Sequence, residues 1–161
     1  VGAAAIDSPH TQPDSASGES MAAAPWLALL KSATAAGEDV EATVREVLEE
    51  EAKSGLKRTA RDIADESKRA GRRRRTEILD LGLELCAAWL RDLAAVATGA
   101  EDVAFNRDRL DQLRSQANGL GASAARRAAE AVQETRRSLD LNVSEELALE
   151  ALFFRLERLL A

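Results

Sequence analysis

"LNVSEELALEALFFRLERLL", residues 141–160, decides how the chain is read. It carries a helix start, with Asn142 placed to cap and Glu145 three residues on to reach back, a capping-box pattern. At about 100° per residue, Ala148, Leu149, Leu152, Phe153, Leu156, Leu159 and Leu160 fill one broad arc. Leu147, Ala151 and Phe154 form a second apolar patch, flanked by a charged stripe of Glu146, Glu150 and Glu157. A helix that packs on a single small core needs only the first arc. The second patch therefore asks for another surface to cover it.

Outward from this helix, the composition is dominated by alanine, leucine, arginine and glutamate, with no tyrosine and little glycine. These are helix formers, and strand signals are scarce. The expected fold class is all-α, a bundle of five to six helices. At 161 residues the chain can build one domain with a real core plus a tail. The net charge of −6 argues against a polycation that binds nucleic acid with its whole surface. Cys86 is the single cysteine, which excludes an internal disulfide and a cysteine metal cluster. It fits a reducing, cytoplasmic setting. No long uncharged apolar run suggests a membrane span, and no basic start with an apolar core suggests a signal peptide. The start at Val1 instead of methionine points to a piece of a longer protein.

Residues 1–20, "VGAAAIDSPHTQPDSASGES", are small and polar and read as a linker or disordered tail, with His10 a solvated histidine. The helical domain is expected over residues 21–161. Pro25 suits a first helical turn, and Gly37 is the expected stop. A second helix, "EDVEATVREVLEEEAKS", follows with Val40, Val44, Val47 and Leu48 at helical spacing. The third runs through Gly71 and Gly82 to Gly99. From Thr76 on, Ile78, Leu79, Leu83, Cys86, Trp89, Leu90, Leu93 and Val96 share a face. A short helix is expected from about Asp108, then a long one capped by Ser123 in which arginines alternate with alanines.

The chemistry-bearing residues are few. Cys86 lies on an apolar face without a histidine in reach, so a buried structural thiol is expected. No HExxH or ExxH pair marks a metal site. No phosphate loop is present, and "GLGAS" at 119–123 reads as a helix stop followed by a cap. No catalytic residue, metal or cofactor is expected. Arg72, Arg73, Arg74 and Arg75, preceded by Lys68 and Arg69, form a local positive field. They are candidates for contact with a nucleic-acid backbone or an acidic partner. Consecutive residues, however, point all round a helix and cannot all meet one ligand.

An ordered set of pieces is similar to the C-terminal domain of bacterial clamp-loader subunits. It most resembles the delta-prime subunit of DNA polymerase III in its high-GC actinobacterial form. "KRAGRRRRTEILD" runs into "WLRDLAAVATGAED", where Trp89, Arg91 and Asp92 occupy an aromatic-x-Arg-Asp pattern. "FNRD" then places Asn106 and Asp108. "RRSLDLNVSEELALEALFFRLERLL" matches the family's ending in Leu139, Asn142, Leu147, Leu149 and Glu150. Order and spacing carry the likeness, and it extends from about Ala22 to the end.

The resemblance implies an all-helical collar domain that joins sister domains in a five-subunit ring, non-catalytic by itself. The implied partners are the gamma/tau and delta subunits, in the loading of a sliding clamp onto primed DNA. Leu147, Ala151 and Phe154 become the expected subunit interface. Two alternatives stand beside this reading: the collar of a gamma/tau subunit, and a helical nucleic-acid-binding module using Arg72–Arg75.

Overall fold

The computed structural model describes residues 25–139, 141 and 143–161. The expected tail over residues 1–20, with His10, and the expected cap Asn142 lie outside the described residues. Among the described residues there are five α-helices and no strand: α1 (Pro25–Lys53), α2 (Ala60–Ala97), α3 (Leu110–Ala117), α4 (Ala122–Leu139) and α5 (Glu145–Leu160). Short 3-10 turns, Glu101–Val103 and Arg107–Arg109, lead from α2 to α3. The fold class is all-α, as the composition implies.

Gly37 does not stop a helix, and the two helices expected on either side of it are one continuous α1. Its role is close approach. A Cβ on Gly37 would stand 2.8 Å from the Gly71 carbonyl oxygen on α2. One on Gly71 would stand 2.7 Å from the Gly37 oxygen and 2.9 Å from the Glu41 Cβ. The two backbones touch because neither residue has a side chain. Tertiary contact outweighs the local helix penalty of glycine, roughly 1 kcal/mol per residue. Ser67, one turn before Gly71, is fully buried and donates its hydroxyl to the Ala64 carbonyl at 3.2 Å.

α2 is the spine, about 57 Å long at the standard rise per residue. Thr59 caps it with a reciprocal box. Its hydroxyl accepts from the Asp62 amide at 3.1 Å, while the Asp62 carboxylate accepts from the Thr59 amide at 3.2 Å. At the other end the chain turns at Gly99, as expected, with φ +77°.

The core forms where the later half of α2 meets the other helices. Leu79, Leu83, Leu90 and Leu93 of α2 pack with Leu113 of α3, Val132 of α4, and Leu149 and Leu152 of α5. α4 contributes Ala125, Ala128, Ala129 and Ala131 and keeps Arg126 and Arg127 outside, which lets it lie close to α2. Only the first part of α1 joins this body, through Ala33 with Trp26, Leu29 and Leu30 packed around it. The rest of α1 and the first turns of α2 continue past the body as a two-helix arm, with Leu48 and Ile63 buried.

One expected cap is replaced. Ser123 lies inside α4, which starts at Ala122, and the Gly121 carbonyl accepts the first bonds from Ala124 and Ala125. Ser144 caps α5, its hydroxyl accepting from the Leu147 amide at 3.5 Å. Glu145 does not close a capping box. It pairs with Arg75 of α2 at 2.6 Å, a cationic partner that the local sequence could not announce.

Candidate functional site

α5 presents two faces. Leu149 and Leu152 are buried in the core, with Phe153 and Leu156 half-buried beside them. On the opposite side Leu147 is 63% exposed and Phe154 56%, with Ala151 exposed between them. The Phe153 and Phe154 rings meet edge to face at 6.3 Å, so Phe154 is steadied from within its own helix. A shallow cleft of Ala151, Phe154, Arg155, Arg158 and Leu159 runs along this outer side. The three residues expected as an interface do lie together, and no other described residue covers them.

A second exposed apolar face was not foreseen. Leu81 and Leu85 of α2 are 51% and 60% exposed. Each stands about 160° round the helix from the inward leucine two residues before it, Leu79 or Leu83. Their signal was legible as a leucine pair at i, i+4 outside the main arc. Leu83 and α5's Leu149 and Leu152 line one cavity of about 150 Å³. The outer faces of α2 and α5 therefore look away from each other across the core.

Asp92 explains why the aromatic-x-Arg-Asp piece and the "FNRD" turn occur together. Its buried carboxylate accepts from the Phe105 amide at 2.9 Å, and from the Asn106 amide at 2.8 Å and side-chain Nδ2 at 2.7 Å. Three donors satisfy a charge that would otherwise be costly to bury. The staple fixes the turn after α2 and leaves Phe105 projecting into solvent. Trp89 is half-buried, with its indole N–H donating to Gln116 of α3 at 2.8 Å. Arg91 and Asp108 are exposed.

The arginine run does not act as one patch. Arg75 turns to Glu145, and Arg74 pairs with Glu77 at 3.4 Å. Arg72 and Arg73 are exposed and, among the described residues, have no carboxylate within ion-pair distance. Cys86 is half-buried in the wall of the apolar cavity, beside Trp26, Leu29 and Gly82. Burial pushes its thiol pKa up, which disfavours the nucleophilic thiolate. Among the described residues no group of three or more His, Cys, Asp or Glu side chains is arranged to hold a metal ion. No helix among them is long and apolar enough to cross a membrane.

No protein-family model matches the chain, and no curated protein or solved structure matches it.

Proposed function

We propose that the chain is a non-catalytic assembly module: the C-terminal collar domain of a DNA polymerase III delta-prime subunit, working in a cytoplasmic clamp loader. The observation that carries the reading is the apolar side of α5, Leu147, Ala151 and Phe154, which no other described residue covers, on a helix whose other side is already committed to the core. Exposed apolar patches of this kind mark partner contacts. The outward face of α2 at Leu81 and Leu85 gives the same domain a second surface for a neighbour. Two opposed faces suit a member of a ring, where each subunit meets one neighbour on either side. The order of the motif pieces from "KRAGRRRRTEILD" to the final helix supports the same family, with the gamma/tau collar as the alternative member.

The test replaces Leu147 and Phe154 together by serine in the chain and asks for co-elution with the gamma/tau and delta subunits. Both side chains are more than half exposed, so the melting temperature should stay close to that of the parent chain. Assembly should fall at least tenfold. Unchanged assembly with an unchanged melt would overturn the interface. Failure of the parent chain to bind either subunit would overturn the family reading itself.

A further inference from the structure

The line of α2 that carries buried leucine inside the body carries cations beyond its edge. Leu79 and Leu83 follow Arg72 at i+7 and i+11, so the three share one side of the helix. Leu79 and Leu83 are covered by the core, whereas Arg72 lies where α4 has ended at Leu139 and α5 has only begun at Glu145. Lys68 precedes Arg72 by four residues, and Arg69 precedes Arg73 by four. The four side chains thus form two rows on one side, with a rise of about 6 Å within each row. All four are exposed, and among the described residues none has a carboxylate within 4.0 Å, whereas the neighbouring Arg74 and Arg75 are both paired.

We infer that Lys68, Arg69, Arg72 and Arg73 form a binding face for the phosphodiester backbone of a nucleic-acid duplex. The grouping differs from the contiguous Arg72–Arg75 run, because helix geometry selects i, i+1, i+4 and i+5 and intramolecular pairing removes the last two arginines. The surroundings favour a polyanion over a protein. No large hydrophobic side chain is exposed between Leu56 and Leu81, and among the residues lining the two flanking recesses Val143 is the one exposed hydrophobic, so the face offers few of the apolar anchors on which protein interfaces depend. No aromatic residue occurs between Trp26 and Trp89, so there is no platform for unstacked bases, and a single strand would gain little here. A duplex needs neither anchors nor platforms and offers closely spaced charge from both strands.

Acidic groups bound the face and define its extent. Asp62, Asp65 and Glu66 share a recess with Arg69 and Arg73 on one side, and Glu145 and Glu146 share one with Arg72 on the other. With the chain acidic overall, contact is confined to these four cations, and no base is read. The inference does not depend on the assembly role proposed above.

The test is fluorescence anisotropy of the full 161-residue chain with a labelled 30-base-pair DNA duplex, and with an RNA duplex of equal length to separate the two sources. If all four cations meet phosphates, raising salt from 50 to 200 mM should weaken binding about a hundredfold. The quadruple variant Lys68→Gln, Arg69→Gln, Arg72→Gln, Arg73→Gln should lose binding while keeping its helical circular dichroism, since glutamine is a good helix former. Lys68→Gln with Arg72→Gln should lower the salt slope by about two. Arg126→Gln with Arg127→Gln, equal in charge but on α4, should leave binding unchanged. The inference falls if neither duplex binds at 50 mM salt, or if the α4 pair matters as much as the α2 pair. It falls equally if polyglutamate binds the same four residues more tightly than either duplex.

Discussion

The body and the arm are built from the same two helices and held in different ways. In the body, α2 packs against α1, α3 and α4, and its inward leucines share one buried cluster with Leu149 and Leu152 of α5. In the arm, among the described residues, α2 has only α1 for company, and the contact depends on Leu48, Ile63, Ser67 and the Gly37–Gly71 crossing. Ion pairs supplement it: Arg58 reaches Glu51 across the hairpin at 3.5 Å and Glu66 along α2 at 2.5 Å. Such pairs at a surface contribute little, typically under about 1 kcal/mol each. The arm is therefore shaped by close backbone approach, whereas the body is shaped by apolar volume. Opening the arm exposes far less apolar surface than opening the body, so its amides should exchange at a lower free energy.

The largest effect should come from the body. Leu79→Ala removes a side chain that is 1% exposed at the centre of the cluster. The expected loss is about 2–5 kcal/mol of global stability, read from denaturant unfolding. Arm and body should both lose protection, because the arm's inner end is anchored on the body. A loss confined to α2 would break the description of one shared core.

Next is the crossing. Gly71→Val places a branched side chain where even a Cβ would stand 2.7 Å from the Gly37 oxygen. The helices must separate, at a cost of about 1–3 kcal/mol by analogy with overpacked cores. Hydrogen exchange should accelerate over residues 38–70 and change little in α4 and α5. Equal acceleration in α4 would mean that arm and body are a single cooperative unit.

How far these features could be read from sequence follows the same division. The body's helices were legible because Leu79, Leu83, Leu90 and Leu93 repeat at helical spacing and because α4 alternates alanine with arginine. The arm was misread at Gly37, since a glycine that stops a helix and a glycine that admits another backbone are the same letter locally. Gly71, which receives it, is 34 residues away. Glu145 was misread for a similar reason: its partner Arg75 lies far back in the chain. For the candidate faces, Leu147, Ala151 and Phe154 emerged from a single helical wheel. The cation group emerged only after pairing had removed Arg74 and Arg75, and pairing is a tertiary fact. Leu81 and Leu85 were masked by the stronger apolar arc beside them.

The smallest effects should appear in acid, and they separate the two regions by location. Arg136 of α4 grips Asp80 of α2 with two hydrogen bonds, at 2.7 and 2.9 Å, in the body. These bonds hold the Asp80 pKa below the ordinary aspartate range. At the mouth of the arm the Thr59 hydroxyl and amide lower the Asp62 pKa in the same direction. A carboxyl whose folded-state pKa is depressed contributes its full stability above the unfolded-state value, near 3.8 for both. That contribution is lost as pH falls through the folded-state pKa. Asp80→Asn should therefore flatten the acid limb of global stability between about pH 5 and 2, while leaving arm exchange unchanged. Asp62→Asn should do the reverse, speeding exchange in the first turn of α2 and hardly moving the global melt. If Asp62→Asn lowers global stability as much as Asp80→Asn does, the arm's first turn belongs to the cooperative core, and the division between the two regions is misplaced.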